Sequence, residues 1–196
     1  MSDLQRHAAE FRSALENHKY ELSPDGIYIP GAKVFVQGVF GHDVNGQEYR
    51  EDKNLVVNEG LLHMLGVELY STTKISTWYL ALFSANYTPA ATLTAATFPA
   101  TASEITSGTE GYTESVRQTY VPAAPAANAI TNTASKAAFT IATASTLTVN
   151  GAALLSSNVK GDTSGVLFAA SKFSATPTLQ NNDVFNLSYR LQLTAS

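Results

Sequence analysis

The chain has 196 residues and a formal net charge of −4, and only 14% of its residues are charged, against roughly 25% in an average soluble protein. Lysine and arginine form no cluster, which excludes the usual nucleic-acid-binding surface. The absence of cysteine excludes disulfides, thiolate nucleophiles and the common structural zinc sites. A surface poor in charge and rich in Ala, Thr and Ser favours packing within an assembly over the role of a free cytosolic enzyme.

The sequence also lacks the signals of export and membrane insertion. The first seven residues, from Met1 to His7, are polar and contain no apolar signal core. No apolar run approaches the ~18 residues that span a bilayer. We therefore expect synthesis in the cytoplasm and no membrane partner.

Residues 3–18 carry the pattern of an amphipathic helix. Its apolar side chains recur at i, i+4, i+7 and i+11: Leu4, Ala8, Phe11 and Leu15. Such a narrow stripe on a terminal helix needs burial against its own domain or against a neighbouring subunit. We therefore interpret Leu4, Phe11 and Leu15 as partner-binding residues.

The distribution of charge indicates two parts. Residues 1–68 hold most of the charged side chains, together with a hairpin signal at Asn45-Gly46. The remaining two-thirds of the chain holds only eleven charged residues. We predict an N-terminal arm of helix and hairpin over residues 1–52 and a body over residues 53–196.

A second, short helix is predicted within residues 55–69. Asn58 is a suitable N-cap, and Glu59 stands where the positive end of the helix dipole favours an acid. The predicted buried face consists of four leucines: Leu61, Leu62, Leu65 and Leu69. Residues 77–83 follow as a strand that is apolar on both faces, which indicates a central position covered on both sides.

The rest of the chain alternates irregular segments with short strands. Two long low-charge segments, 84–111 and 121–135, lack a regular period, and such segments are typically functional or ordered by a partner. Strand candidates lie at 116–121, 137–141, 146–155 and 165–168. The clearest strand is 183–194, where apolar and polar residues alternate. We predict a mainly β fold: a β-sandwich with jelly-roll or Greek-key connections, an N-terminal helix and one short internal helix.

Residue types with catalytic or metal-binding chemistry lack the required spacing. The histidines show no metal-ligand spacing, and we expect each to be solvated or locally hydrogen-bonded: His7, His18, His42 and His63. The acidic residues from Asp43 to Asp52 lack the ligand order of a calcium loop, which favours a solvated hairpin tip. The sequence contains no nucleophile elbow and no phosphate-binding loop. We therefore expect no enzyme activity, no cofactor and no metal.

Several motifs stand together in the body. They are the runs NLVVNEGL at 54–61, TWYLALF at 77–83, NYTP at 86–89 and ATFPA at 96–100. In these runs, and in the segments 114–121, 130–139 and 164–173, the chain from about residue 53 onward resembles a group of small virion-associated proteins of tailed bacteriophages. The resemblance implies a component of the virion, of the capsid decoration (cement) or head-fibre type.

The resulting hypothesis is a homo-oligomeric decoration protein that binds the major capsid protein or other virion proteins and stabilises the head lattice. Its two long segments would lie across neighbouring subunits. The aromatic side chains within or beside them are predicted to bind the partner: Tyr87, Phe98, Tyr112 and Tyr120. Two alternatives stay open. One is a tail or fibre component that contacts a host receptor, and the other is a carbohydrate-binding module that uses exposed tyrosines.

Overall fold

The computed structural model describes Arg12 and residues 21–23, 26–28 and 34–195. The chain divides into two compact units, one formed by residues 1–35 with 194–196 and the other by residues 36–193. In the first unit, strands β1 (Glu21–Ser23) and β2 (Gly26–Tyr28) pair antiparallel. The predicted helix over 3–18, with Leu4, Phe11 and Leu15, lies outside the described residues except for Arg12, which is helical and exposed.

The rest of the described chain is mainly β, as the sequence predicts. Its strands are β3 (Val34–Val44), β4 (Gln47–Val56), β5 (Trp78–Phe83), β6 (Gly111–Tyr112), β7 (Gln118–Tyr120), β8 (Ala129–Thr131), β9 (Ala137–Ala142), β10 (Leu147–Thr148), β11 (Gly151–Leu155), β12 (Leu167–Lys172), β13 (Thr178–Leu179) and β14 (Val184–Ala195). One curled antiparallel sheet has the order β6-β9-β14-β3-β4-β12-β11-β5-β7, with β8 also paired to β14. Strands β10 and β13 form a separate pair.

The Asn45-Gly46 hairpin is confirmed, and it belongs to the large sheet. Asn45 and Gly46 both have positive φ, 53° and 76°, which is the conformation of the type I′ turns that join tightly paired strands. Val44 pairs with Gln47 across this turn. The predicted boundary at residue 52 therefore falls inside β4, and the hairpin shares one sheet with the rest of the body.

Strand β5 is apolar on both faces because each face packs on a different cluster. Leu80 and Leu82 lie in the cluster enclosed by the curled sheet, with aromatic side chains from strands on both sides of the curl. Ala81 and Phe83 lie in a second cluster on the outer side of β5, β11 and β12. The alternation of side chains along the strand places consecutive residues on opposite faces, so the predicted cover on both faces is confirmed. The predicted central position is not, because β5 is second from the edge of the sheet, between β11 and β7.

The segment that follows β5 covers this outer cluster. Its only helical turn is α2 (Phe98–Thr101), and its buried side chains include Leu93, Phe98 and Ala102. Backbone hydrogen bonds from Ser84 N–H to the carbonyl of Ser103 and from Ile105 N–H to the carbonyl of Leu82 fix its two ends. The apolar side chains of this segment therefore pack on the sheet of their own chain, whereas the sequence suggested a neighbouring subunit.

Helix α1 (Asn58–Leu69) lies between β4 and β5, and two expectations about it are wrong. Its N-cap is Val57 rather than Asn58, and no side chain caps it; Asn58 is the first helical residue, and its N–H donates to the carbonyl of Ala91. Its packing face is centred on Gly60, where an added Cβ would lie 2.4 Å from the carbonyl oxygen of Phe168. This close approach turns Leu62, Leu65 and Leu69 away from the sheet, and only Leu61 of the four leucines packs on the core.

The last strand, β14, has the alternation that the sequence predicts. Phe185, Leu187 and Tyr189 are buried in the core, and Asn186 and Arg190 are half-buried on the other face. The neighbouring Ser188 is also buried, because its hydroxyl donates to the carbonyl of Gly41 on β3. The C-terminal strand therefore lies within the sheet, with β3 and β9 as its neighbours.

Candidate functional site

Of the four predicted partner-binding side chains that the structure describes, three lie inside the fold. Phe98 and Tyr112 are fully buried and Tyr120 is nearly so. The Tyr112 ring packs edge-on against Phe139, with 4.9 Å between centroids, and the Tyr120 hydroxyl donates to the carbonyl of Tyr189. Burial raises the pKa of the Tyr112 and Tyr120 hydroxyls. These rings stabilise the core, and none of the three is accessible to a partner.

Tyr87 differs from these three rings. Its side chain is half-buried against the outer cluster that contains Phe98. Its hydroxyl accepts a hydrogen bond from the N–H of Ala90, at 3.4 Å. One edge of Tyr87 is therefore at the surface, while its ring helps to hold the loop after β5 on the sheet.

The second predicted segment is exposed over its first part. Every residue from Val121 to Asn128 is exposed. The segment turns at Ala127 and Asn128, which both have positive φ, and the carbonyl of Asn128 accepts the N–H of Leu193. The side chains of this stretch are alanines, prolines, Val121 and Asn128. Part of its backbone is already paired within the chain, since the Ala123 N–H donates to the carbonyl of Thr131 and Ala126 exchanges hydrogen bonds with Ala129.

An exposed apolar surface lies on α1, and we call it the leucine face. It consists of Leu62, Leu65 and Leu69, which expose 69%, 57% and 82% of their surface, and of the following Tyr70, which exposes 81%. The sequence pointed to these leucines but placed them in the core. The missed signal is Gly60, since a glycine inside a helical pattern often marks a close packing contact.

Two apolar hollows lie on the other side of α1, where the helix meets the sheet. One has a volume of about 200 Å³ and is lined by residues that include Met64, Trp78, Tyr120 and Leu191. The second, of about 190 Å³, shares Met64 and Trp78 and adds His63 and Lys74. Trp78 packs edge-on against His63 and Phe168, at 5.6 and 5.4 Å. Both hollows are smaller than the roughly 300 Å³ at which typical ligand pockets begin.

Two carboxylates of the β3–β4 hairpin, Asp43 and Asp52, are buried, whereas Glu48 and Glu51 are exposed. His42, Asp43 and Asp52 expose less than a tenth of their surface. Asp43 accepts hydrogen bonds from Lys136 Nζ at 2.6 Å and Asn186 Nδ2 at 2.7 Å. Asp52 accepts one from the N–H of Ser174 at 2.7 Å and lies 3.2 Å from His42 Nε2. The hairpin tip, residues 45–48, is exposed as predicted, but Asp43 and Asp52 are not solvated, because they accept hydrogen bonds from Lys136, Asn186 and Ser174.

The environment of this cluster sets its charge. Burial lowers the pKa of His42 by more than its hydrogen bond to the Asp52 carboxylate raises it, so the imidazole is neutral near pH 7. Burial raises the pKa of Asp43, but hydrogen bonds from Lys136 and Asn186 outweigh burial and hold it below its ordinary value. The adjoining polar cavity, of about 420 Å³, is lined by His42, Asp43 and Arg50 among others. Both carboxylate oxygens of Asp43 accept hydrogen bonds from groups of the same chain.

The ion pair between Arg117 and Glu104 joins three loops. Arg117 and Glu104 are both buried, and the guanidinium also donates to the carbonyls of Ser157 and Asp162. The N–H of Gly161 donates to the Glu104 carboxylate. Residues separated by thirteen positions in irregular segments carry no periodic signal, so the sequence did not indicate this contact. Its donors and acceptors are paired with one another, which fits a structural role.

Within the described residues, no three His, Asp or Glu side chains are grouped as metal ligands. No helix in the same part of the chain is long and apolar enough to cross a membrane. Comparison with protein-family models found no matching family, and comparison with curated proteins found no significant match.

Proposed function

We propose that the chain is a structural component of a tailed-phage virion, most consistent with a capsid decoration protein that stabilises the head lattice. The observation that carries its structural role is the leucine face of α1, where Leu62, Leu65 and Leu69 are exposed together. A contiguous apolar patch of this kind on a folded chain is typical of a protein-binding surface. The assignment to a virion rests on the sequence resemblance of the body to virion-associated proteins of tailed bacteriophages.

The polar groups of the chain support a structural rather than an enzymatic role. The buried charged side chains Arg117, Glu104 and Asp43 have internal hydrogen-bond partners. A catalytic acid or base needs access to substrate as well as a suitable pKa. We propose on this basis that the chain is not an enzyme.

The exposed segment 121–128 is the proposed contact with the lattice. Every residue of this segment is exposed and most of its side chains are small, so another chain can pack closely against it. The N-terminal residues 1–20, with their narrow apolar stripe, are the second proposed contact. A protein that binds only the assembled lattice stabilises it by mass action, which is the physical basis of a cement function.

We also propose that the curled sheet is a β-sandwich with jelly-roll or Greek-key connections. Two observations support this finer description. The inner cluster contains Phe40 of β3 together with Leu80 and Leu82 of β5, although these strands are far apart in the sheet order. The Tyr120 hydroxyl of the edge strand β7 reaches the carbonyl of Tyr189 on β14.

The test is binding to particles assembled without this chain. The full chain should sediment with the particles, and density from it should appear on the head in electron cryo-microscopy. A chain lacking residues 1–20 should lose binding while its circular dichroism spectrum keeps the β signature of the body. Density on the tail would instead support the tail or fibre alternative. No binding of the full chain to any part of the particle would overturn the proposal.

The carbohydrate-binding alternative has lost most of its support. Sugar stacking needs an exposed aromatic face, and two of its three tyrosines, Tyr112 and Tyr120, are buried. The remaining ring, Tyr87, packs against the outer cluster on one side. A glycan array probed with the full chain checks this alternative, and we expect no binding.

A further inference from the structure

The spacing of the leucine face is that of a helix-pairing seam. Leu62, Leu65 and Leu69 are separated by three and four residues, the a-d-a spacing at which two helices pack side by side. The opposite side of α1 packs on the sheet through Gly60. The seam therefore points outward from a helix whose position is fixed by the core, and it is preorganised to receive a second helix.

The chemistry of the seam favours a partner like itself. Between Glu59 and Glu68 the exposed side of α1 carries no charged residue, and Glu59 itself is occupied by the N–H groups of Ala95 and Leu167. A partner with a charged surface would gain no ion pair there. A two-fold dimer instead requires a surface that is complementary to itself, and an uncharged row of leucines satisfies this condition.

The area of the face fits a weak dimer. At roughly 150 Å² for a large side chain, the exposed fractions of the three leucines and Tyr70 leave about 400 Å² on each copy. Two copies would bury on the order of 900 Å², together with the edges of neighbouring residues, which is near the lower limit of about 1,000 Å² for a specific interface. The expected dimer is therefore weak and reversible, as interfaces of this size are.

The charges at the helix ends select the direction of pairing. The last turn of α1 contains Glu68 and no basic residue, so it adds an acid to the negative end of the helix dipole. Parallel helices would bring these two negative ends together. Antiparallel helices place each negative end beside the positive end of the other helix.

We propose that the leucine face is the dimer interface of this chain: α1 packs antiparallel against α1 of a second copy, with Leu65 beside the two-fold axis. Leu62 of each copy then packs against Leu69 of the other. This inference rests on the proposed function and deepens it, because it names a second copy as the partner at the face on which that function depends.

The first test measures the mass of the full chain as a function of concentration. The monomer mass is 20.9 kDa, and sedimentation equilibrium should show the weight-average mass rising towards twice this value. The variant Leu65→Glu should weaken dimerisation by about 100-fold or more, because both copies carry a charge at the centre of the interface. Val159→Glu is the matched control at another exposed apolar residue, and it should dimerise like the unmodified chain.

The second test uses the absence of cysteine in the chain. A disulfide forms only between Cβ atoms about 3.5–4.5 Å apart, so oxidation should cross-link Leu65→Cys to itself. In the antiparallel dimer, Leu62→Cys and Leu69→Cys should cross-link efficiently only when mixed. Self-cross-linking of each of these two variants would overturn the antiparallel arrangement. A mass of 20.9 kDa at all concentrations would overturn the dimer itself, including the case in which another segment of the same chain covers the face.

The two proposals fail separately. If Leu65→Glu is monomeric and still sediments with particles, the dimer is confirmed and particle binding does not require it. If the unmodified chain is a dimer that does not bind particles, the dimer stands and the virion function fails. If the unmodified chain is monomeric but decorates particles, only the dimer is overturned.

Discussion

Arg117 and Glu104 form a bidentate ion pair in which both side chains are fully buried. The distances are 2.7 Å from Nε to Oε1 and 2.7 Å from Nη2 to Oε2. The guanidinium uses its other donors on the carbonyls of Ser157 and Asp162. One arginine therefore joins the end of the loop after β5, the approach to β7 and the loop between β11 and β12.

Replacing Arg117 by methionine should destabilise the fold strongly. The change leaves the buried Glu104 carboxylate without its cation, and breaking a buried pair in this way costs about 3–5 kcal/mol. Urea denaturation of the full chain, followed by tryptophan fluorescence from Trp78, measures the free energy of unfolding. The double variant Glu104→Gln with Arg117→Met should be more stable than Arg117→Met alone, since it removes the orphaned charge.

The matched control is an exposed ion pair of the same type. Arg50 lies 3.2 Å from Glu48, with 52% and 80% of the two side chains exposed. Solvent screens such a pair, so Arg50→Met should change the stability by less than about 1 kcal/mol. An equal decrease in the free energy of unfolding for Arg117→Met and Arg50→Met would show that the buried pair stabilises the fold no more than an exposed one.

Replacing Glu59 by alanine should loosen the loop after β5 and the start of β12. Its Oε2 accepts the N–H of Ala95 at 2.8 Å and the N–H of Leu167 at 2.7 Å. Two unpartnered N–H groups cost about 1–3 kcal/mol each. Hydrogen exchange should accelerate at Ala95 and Leu167, and Glu59→Gln should lose less because its amide oxygen can still accept.

Glu68→Ala is the control for the Glu59 prediction. Glu68 is exposed on the same helix, so this variant should leave the exchange rates at Ala95 and Leu167 unchanged. If Glu59→Ala also leaves both rates unchanged, the carboxylate does not hold these two segments together.

The sequence predicted the elements of the fold better than their contacts. The alternation of apolar and polar residues in β14 and the apolar residues on both faces of β5 are local properties of these strands. Both are confirmed. The strand order is not local. It is decided by pairings such as that of β12 with β4, where Ala170 lies opposite Leu55, and no short-range pattern specifies such a pairing.

The candidate site was predicted incompletely for a related reason. The four leucines of α1 were grouped as one buried face because each is apolar, but a helix turns 100° per residue. Leu62, Leu65 and Leu69 therefore fall within about 60° of one another around the helix, whereas Leu61 lies about 100° from Leu62. Only the close approach of Gly60 to Phe168 decides which side of the helix meets the sheet, and that contact spans more than one hundred residues.

Replacing Gly60 by alanine tests this contact directly. An alanine Cβ would lie 2.4 Å and 2.8 Å from the carbonyl oxygen and Cα of Phe168, which are backbone atoms that cannot rotate away. We expect a loss of about 1–3 kcal/mol, although alanine is the better helix former by about 1 kcal/mol. The midpoint of urea denaturation measures the change.

The control is Gly66→Ala on the same helix. There the new Cβ would meet the side-chain oxygen of Thr72 at 2.5 Å, and Thr72 is an exposed residue whose side chain can change rotamer. The higher helix propensity of alanine should then make this variant neutral or more stable by up to about 1 kcal/mol. Destabilisation of Gly66→Ala to the same extent as Gly60→Ala would mean that α1 tolerates no added methyl group anywhere, rather than at the sheet contact alone.

The buried imidazole of His42 should make the stability of the chain depend on pH. Burial lowers the pKa of His42 below its ordinary value of 6.5, against the opposing effects of Asp52 and Asp43, while Arg50 acts in the same direction as burial. The unfolded chain therefore binds a proton near pH 6.5 that the folded chain does not bind. Stability is complete above this pH and falls as the pH is lowered from about 6.5 towards the folded pKa.

The variant His42→Asn isolates this effect. Its amide can still donate to Asp52, but it does not titrate, so the free energy of unfolding should change less between pH 7 and pH 5.5 than in the unmodified chain. The lowered pKa of Asp43 acts only near and below its ordinary value of 3.8, outside this range. Urea denaturation at each pH gives the slope, and NMR titration of the His42 ring should show the neutral form persisting below pH 6.5. An unchanged slope in His42→Asn would assign the pH dependence to other groups.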